Sequence, residues 1–302
     1  MNRRDWLKAA SAATVGFSSF RLGWAAGAES KRTGAEPKPK RLLYYTASVG
    51  FAHPPVQRQN GQPSLSEKVF AQFGERAGFA VECTQDGRVF DGDLNRYDAI
   101  AFYTCGDLTQ PNLAGSPPMT PQGKQRLLDA IAAGKGFVGF HSAADTFHSQ
   151  GPRDAIQTEL DPYVAMLGGE FVSHGPSQEA GLMLVPGFPG AGDLGCAEGL
   201  SFTDEWYALK NFAKDLHVIL VQETRYLQGE CYRRPNYPST WARRHGQGRV
   251  FYTSLGHHEE IWTNPFFQAI VLGGIAWALG NVEANVKPNL DTVAPHANQL
   301  KS

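Results

Sequence analysis

Short apolar runs alternate, along the first half of the chain, with segments in which apolar residues recur every three to four positions. Runs of four to six such residues predict buried β-strands, and the wider spacing predicts helices that cover a sheet. In this order the two patterns are typical of a parallel α/β sheet with right-handed crossovers. The predicted strands are residues 41–46, 79–84, 99–104 and 137–140, and the predicted helices are residues 64–78, 120–133 and 154–167.

The second half of the chain has extended segments whose spacing is typical of antiparallel strands. The Asn264-Pro265 pair opens a last amphipathic helix, which ends before Gly280. We see no internal repeat and no interior boundary, so the pattern predicts one domain over residues 41–280 and a surface tail over residues 281–302. The predicted strands of this half are residues 170–173, 181–185, 201–209 and 217–222, with a hairpin of residues 239–243 and 249–255.

Residues 1–28 have the features of an export signal that is removed from the mature protein. Arg3 and Arg4 begin a twin-arginine pattern, an Ala/Ser-rich run follows, and residues 26–28 (AGA) offer a small-residue cleavage site. The alternative is a fortuitous arginine pair in a segment that stays attached as an anchor. We expect export by the Tat pathway to the periplasm or another extracytoplasmic location, with residues 29–40 as a linker.

The same N-terminal segment predicts no stable membrane insertion, because its apolar run is modestly hydrophobic and contains Arg21. Its removal takes away four basic residues and one acidic residue, so the formal net charge of −1 becomes −4. A mildly acidic chain argues against nucleic acid and anionic membranes as partners. The oligomeric state stays open.

Several sequence signatures are absent, and their absence narrows the function. There is no Gly-x-Ser-x-Gly, no phosphate-binding glycine loop and no Gly-x-Gly-x-x-Gly after the first strand, so we expect no nucleotide cofactor and no serine hydrolase. No Cys-x-x-Cys pair is present, which argues against a zinc knuckle. Disulfides are permitted after export, and buried free thiols are the alternative. The cysteines are Cys83, Cys105, Cys196 and Cys231.

His141 lies directly after a buried apolar run, in residues 134–147 (GKGFVGFHSAADTF). The small residues after it allow a sharp turn, and a reactive side chain on such a turn is typical of a nucleophile elbow. Because side chains past the carboxyl ends of parallel strands line the ligand crevice, His141 is the leading catalytic candidate. A structural histidine bonded within a turn is the alternative. Asp145 is a second catalytic candidate, or else the N-cap of a helix.

Two further catalytic candidates follow predicted strands in the second half. Glu205 lies among aromatic residues, and an apolar setting raises the pKa of a carboxyl group and suits a general acid or base. A salt-bridged structural carboxylate is the alternative. Asp204 and Glu205 alternate in direction on a strand, so only one of them is expected to face the site. His257 follows a strand and Gly256, and we favour it over His258 as the imidazole that faces the crevice.

Imidazoles from separate loops, together with a carboxylate, can bind zinc or a similar divalent metal or act as acid and base. Trp206, Tyr207 and Trp262 are candidate platforms for a sugar ring, with plain core packing as the alternative. We interpret the remaining histidines as surface or structural residues. The candidate metal ligands are His53, His141, His174 and His257, and the histidines given no role are His148, His217, His245 and His296.

In the order of its motifs, the chain resembles the ThuA-like (trehalose utilisation) family over residues 41–280. Several motifs in the same order are a specific signal, whereas any one of them alone would be weak. The motifs are residues 50–53 (GFAH), 136–147 (GFVGFHSAADTF), 167–174 (LGGEFVSH), 204–207 (DEWY) and 248–257 (GRVFYTSLGH), followed by Trp262, residues 264–266 (NPF) and residues 277–278 (WA).

The resemblance implies a flavodoxin-like fold, a doubly wound and mainly parallel sheet of the class I glutamine amidotransferase-like superfamily. In glutamine amidotransferases the elbow holds a cysteine nucleophile. Because His141 takes that position here, amidotransferase chemistry is not expected. The resemblance also implies a role in sugar catabolism. The export signal and a polar insertion at residues 149–161 depart from the family's pattern.

Three functions compete. The first is an exported enzyme that acts on a glycoside or keto-glycoside. His141 or Glu205 would be the base that removes a proton next to the ketone, and a divalent metal or an acid group would polarise the ketone carbonyl. The second is a non-catalytic sugar-binding protein that uses Trp206, Tyr207 and Trp262. The third is a metal-dependent hydrolase of another small substrate. We favour the first, with a small-molecule carbohydrate as the partner.

Overall fold

The computed structural model describes residues 38–192 and 200–301. The predicted export signal, most of the predicted linker and Cys196 lie outside the described residues. Within the described ranges, eleven strands form one nine-stranded sheet and a separate two-stranded sheet. The strands are β1 (Arg41–Tyr45), β2 (Ala80–Thr84), β3 (Ala99–Phe102), β4 (Gly136–Phe140), β5 (Glu170–His174), β6 (Gln178–Leu184), β7 (Leu200–Asp204), β8 (Tyr207–Lys210), β9 (His217–Gln222), β10 (Tyr237–His245) and β11 (Gly248–Thr253).

The large sheet joins a parallel half to an antiparallel half. Its order is β2-β1-β3-β4-β11-β10-β9-β6-β7. The first five strands are parallel neighbours, and their order matches the flavodoxin-like arrangement. The antiparallel pairings that follow reverse only β10 and β6. The mainly parallel α/β sheet predicted from the sequence is therefore confirmed, and β1, β4, β7 and β11 end at the same edge.

Helices cover both faces of the sheet. Alternate residues of β1 point to opposite sides, so Leu42 and Tyr44 pack in the apolar cluster of one face while Leu43 and Tyr45 pack in that of the other. Each face buries its own apolar cluster, as a doubly wound sheet requires. The helices are α1 (Leu65–Ala77), α2 (Pro121–Ala132), α3 (Pro162–Leu167), α4 (Glu259–Thr263), α5 (Pro265–Ala278) and α6 (Leu290–Val293).

Helix starts follow the signals in the sequence. The Ser64 hydroxyl accepts from the Glu67 N–H, and the Glu67 carboxylate accepts from the Ser64 N–H at 2.9 Å, which confirms the capping box that starts α1. Thr120 caps α2 ahead of Pro121. These caps satisfy N–H groups that the first turn of a helix leaves unpaired.

Two predicted elements differ from the structure. The helix predicted over residues 154–167 is present only as α3, because Asp161 caps it and Pro162 occupies its first position. The residues before Asp161 form turns. The extended segment predicted over residues 201–209 is broken after Asp204, so β7 pairs within the large sheet and β8 pairs with β5.

The C-terminal segment predicted as a surface tail packs against the body of the protein. Leu290, Ala294 and Ala297 are buried, and the Asn289 side chain bonds both backbone groups of Val218.

Among the described residues no helix is long and apolar enough to cross a membrane. The three cysteines that the structure describes, Cys83, Cys105 and Cys231, are free thiols.

Candidate functional site

Four side chains meet at the edge where β1, β4, β7 and β11 end. They are His53, His141, Glu205 and His257, and each offers a ligand atom within 4.8 Å of the others. We call this set the histidine–glutamate cluster. Each member comes from the loop after a different strand, as expected for a ligand crevice at the carboxyl edge of a parallel sheet. Three of the four histidines predicted as metal ligands therefore lie together, and Glu205 lies with them.

His141 begins a tight 3₁₀ turn directly after β4 and has a φ of +40°. Positive φ is unfavourable for a residue with a side chain, and such strain is characteristic of functional turns. The turn is held on both sides: Tyr252 donates its hydroxyl to the His141 carbonyl at 2.8 Å, and the His141 Nδ1–H donates to the Ser254 carbonyl at 2.7 Å. A carbonyl only accepts, so Nδ1 carries a hydrogen and Nε2 is the ring nitrogen that faces the cluster.

Glu205 lies in the break between β7 and β8. Its Oε2 is 3.2 Å from His257 Nδ1 and 3.6 Å from His141 Nε2. The sequence predicts a raised pKa for this carboxyl group, and the structure gives the opposite direction. Burial alone raises the pKa of Glu205, but hydrogen bonds and charge from His141 and His257 outweigh burial and hold the pKa below its ordinary range.

His257 is positioned by the turn at Gly256 that the sequence indicated, and by contacts of Asp204 that sequence reasoning missed. Gly256 has a φ of +111°, which a residue with a side chain rarely adopts. The buried Asp204 carboxylate accepts from the Gly256 N–H at 2.8 Å and from the His258 N–H at 3.0 Å. Asp204 thus fixes the loop that presents His257, while its neighbour Glu205 faces the cluster. An acidic residue at the end of a strand, next to a glutamate, is the only sequence signal of this role.

His53 is a buried member of the cluster. Its Nε2 is 3.2 Å from the Tyr207 hydroxyl, and its Nδ1 has no hydrogen-bond partner within residues 38–192 and 200–301. Burial lowers the pKa of His53 to about 2, with a further contribution from the charges of His141 and His257. His53 is therefore a neutral imidazole, the form that binds metals.

The aromatic candidates separate into two kinds. Trp206 and Trp262 are buried, and their indole N–H groups donate to the backbone carbonyls of Gln178 and Gly256. Neither indole has an exposed face in this structure. Tyr207 is also buried, but its ring lies 4.0 Å from that of His141 and its hydroxyl contacts His53.

His174 and Asp145 lie beside the cluster rather than within it. His174 Nδ1 is 3.2 Å from Glu205 Oε1, the oxygen that faces away from His141, and the side chain is 45% exposed. Asp145 ends the turn that His141 begins and contacts Cys105, His148 and Arg153 instead. It does not cap a long helix, because the turn stops at Asp145 itself.

Comparison with known proteins agrees with the motifs. A family model described as "ThuA: Trehalose utilisation" matches residues 41–278. A thua-like protein from Bacteroides uniformis ATCC 8492 is 20% identical with a TM-score of 0.59, covering 83% of this chain and 95% of that one. A thua-like protein from Parabacteroides merdae ATCC 43184 is 21% identical with a TM-score of 0.54, covering 81% and 91%. These two structures support the fold. No curated protein matches the chain.

Proposed function

Because this chain belongs to the ThuA family of trehalose utilisation, which matches residues 41–278, we propose that it is an exported enzyme of carbohydrate catabolism. The proposed substrate is a glycoside or its keto derivative. The proposed catalytic centre is the histidine–glutamate cluster, and the proposed cofactor is a divalent metal ion such as zinc. Export rests on the twin-arginine pattern of residues 1–28.

One observation carries this proposal. His141 Nε2, His257 Nδ1 and Glu205 Oε2 form a triangle with sides of 3.2, 3.3 and 3.6 Å. Ligands about 2.0–2.2 Å from a zinc ion in a tetrahedral site lie about 3.4 Å apart. The three atoms therefore have the spacing of three ligands of one ion.

The chemistry of the donors fits a metal as well as their spacing does. His141 Nε2 faces the cluster because Nδ1 is bonded to the Ser254 carbonyl, and a metal would replace any hydrogen on Nε2; metal-binding histidines commonly have this orientation. His53 is buried and has an Nδ1 without a partner among the described residues. Three imidazoles and one carboxylate are donors that suit zinc and similar ions.

The residues around the centre have separate roles in the proposed reaction. When bound, a divalent ion supplies a Lewis acid that polarises a sugar oxygen. Glu205 keeps Oε1 outside the triangle, where it can accept a proton from a carbon next to a carbonyl. His174 Nδ1 contacts that oxygen and also the Gly175 carbonyl, so it carries a hydrogen and stabilises the ionised Glu205 carboxylate that acts as the base. Tyr207 packs on His141 and restricts its movement.

Phe51 is the aromatic residue that we assign to sugar binding. Its side chain is 55% exposed, and its ring meets the ring of His53 edge-on at 4.8 Å. An exposed aromatic face beside buried polar groups is typical of a ligand pocket. Trp206 and Trp262 are excluded from this role in the proposal because both are buried.

The test is the metal content of the mature protein, purified from the periplasm of a host with a Tat system. Wild type, His141→Ala, His257→Ala and the control His217→Ala are compared by elemental analysis. We expect near-stoichiometric metal in wild type and in the control, because His217 lies at the start of β9, at the other edge of the sheet. The two cluster variants lose the metal. Recovery of a chain that lacks residues 1–28 tests export in the same preparation.

Other outcomes identify the competing functions. A folded wild type that neither carries metal nor binds added zinc contradicts the metal centre and leaves acid–base catalysis by His141 and Glu205. Saturable sugar binding with no product over long incubation indicates a binding protein. Turnover that chelation abolishes, with no preference for sugars, indicates a hydrolase of another small substrate.

A further inference from the structure

A second polar network lies beside the histidine–glutamate cluster, and His148 is at its centre. His148 Nε2 is 2.8 Å from Asp145 Oδ1, and its Nδ1 is 3.1 Å from Glu170 Oε1. Glu170 is buried, and the His148 side chain is 23% exposed. The histidine thus joins two carboxylates that come from different segments of the chain.

The hydrogen atoms in this network can be counted. Glu170 also accepts from the Ser149 N–H and from the Asn211 side-chain amide. Asp145 also accepts from Arg153 and from the Cys105 thiol. All these partners are donors, so both carboxylates are ionised and can only accept. A neutral imidazole has one N–H, whereas an imidazolium has two, so only the imidazolium satisfies both contacts of His148.

The two carboxylates belong to the two parts of the chain that form the site. Asp145 ends the turn that begins at His141. Glu170 is the first residue of β5, which pairs with β8, and β8 begins at Tyr207 directly after the Glu205–Trp206 break. We call the two-stranded sheet β5–β8 the strap. His148 therefore connects the His141 turn to the strap.

We propose that His148 is a positioning residue, which as an imidazolium clamps the strap to the His141 turn and so sets the spacing of Glu205 and Tyr207 from His141. This inference rests on the proposed function, because it concerns the geometry of the same centre. It adds a pH-dependent element to the site. Raising the pH removes one N–H from His148, breaks one of its two contacts and loosens the strap.

The charges around His148 favour its imidazolium form. Burial lowers the pKa of His148, but the hydrogen bonds to Asp145 and Glu170 outweigh burial and raise it above its ordinary value. Arg153, on the outer side of Asp145, acts in the opposite direction. Lys210 lies near Glu170 and contributes to the low pKa of that carboxyl group. Stabilisation by the clamp is thus complete below about 6.5, the pKa of a free histidine, and is lost as the pH rises through the raised pKa.

The test is nuclear magnetic resonance on the metal-free full chain with labelled histidine and tyrosine. Two signals are followed from pH 6 upward: the protonation of both His148 nitrogens, and the nuclear Overhauser effect between the rings of His141 and Tyr207, whose centroids lie 4.0 Å apart. We expect His148 to stay doubly protonated above about pH 6.5 and the ring-to-ring effect to weaken with the same midpoint as His148 deprotonation. A singly protonated His148 at pH 6.5, or an unchanged ring-to-ring effect across its deprotonation, overturns the inference.

His148→Gln and the control His217→Gln extend the test. Glutamine has one donor nitrogen and one acceptor oxygen, so, like a neutral imidazole, it can present a donor atom to only one of the two carboxylates in this geometry. We expect the ring-to-ring effect to be lost in H148Q and kept in H217Q, and zinc affinity to fall at least about tenfold in H148Q only. If H148Q binds zinc as tightly as wild type does, the proposed role of His148 as a clamp is wrong. If wild type binds no zinc, the metal part of the proposed function fails, and the metal-free signals still decide whether His148 is a clamp.

Discussion

An imidazole in place of a nucleophile changes what the turn after β4 can do. The positive φ of His141 costs on the order of 1–3 kcal/mol. It persists because the carbonyl and the ring of the residue are each held by a hydrogen bond. Such a constraint suits a group that must present one nitrogen in a fixed direction, which is what a metal ligand does.

At this scale Phe51 gives a direct test of sugar binding. Phe51→Ala removes an exposed ring beside His53. We expect KM for the substrate to rise about two- to tenfold, because loss of one aromatic contact costs about 0.5–1.5 kcal/mol, while kcat stays close to wild type. Steady-state kinetics measure both constants. Tyr226→Ala is the control, since Tyr226 is 82% exposed on another loop. An unchanged KM in the Phe51 variant removes this residue from the site.

Residue types at strand ends were predictable from the sequence, but their contacts were not. Position after an apolar run indicated His53, His141 and His257, because parallel strands share a carboxyl edge. Which oxygen of Glu205 faces which ring depends on the interruption between β7 and β8, which the spacing of apolar residues does not predict. Trp206 lies next to Glu205 in sequence but is buried, since the break turns the two side chains in different directions.

Among the elements, the break between β7 and β8 is what creates the site. It lets Glu205 leave the large sheet while Asp204, still in β7, bonds the Gly256 loop. The same short segment therefore supplies one member of the cluster and fixes another. A continuous strand over residues 201–209, as the alternating pattern predicted, would place Asp204 and Glu205 on opposite faces of one sheet.

Asp204→Asn tests this role of the break. Asparagine has one acceptor oxygen, so its amide N–H₂ faces one of the two backbone N–H groups that the carboxylate binds. We expect the free energy of unfolding to fall by about 1–3 kcal/mol and zinc affinity to fall about 10–100-fold. Chemical denaturation and calorimetry measure the two effects. Asp291→Asn, at an exposed position of α6, should change neither, and an Asp204 variant with wild-type zinc affinity would show that the loop holds His257 without the carboxylate.

Sequence patterns predicted the helices and strands of the first half more reliably than the second. Buried parallel strands give continuous apolar runs, and capped helices have local signals such as Ser64 and Thr120. The helix predicted from residue 154 failed because its apolar spacing continued across Pro162, the residue that in fact begins α3. Lys210 instead holds the preceding turns through the carbonyls of Pro152 and Ala155.

For the molecule as a whole, the C-terminal segment is connected to the strap beside the site through Arg234. The Arg234 guanidinium donates to the Leu209 carbonyl in β8 and to the Ala297 carbonyl in the C-terminal segment. The Arg234 side chain therefore links the C-terminal segment to the strap. The segment's polar, proline-containing sequence gives no sign of this packing, since the burial involves only a few small or isolated apolar residues.

Deletion of residues 289–302 should weaken both the fold and the site. Loss of the buried Leu290 and of the Asn289 hydrogen bonds is expected to lower the free energy of unfolding by about 2–4 kcal/mol. Urea denaturation followed by circular dichroism measures it. Removal of residues 301–302 alone is the control. A truncated chain as stable as wild type would mean that the segment contributes nothing to the fold.

The spread of the cluster along the chain also fixes when the site can exist. Its members come from loops after β1, β4, β7 and β11, so the set is complete only when the last of these strands is in place. His53 and His257 are made about 200 residues apart, which at about 5–20 residues per second is roughly 10–40 s of synthesis. The nascent chain thus passes most of its synthesis without a complete set of ligands, and the four-residue site can form only after His257 has been made.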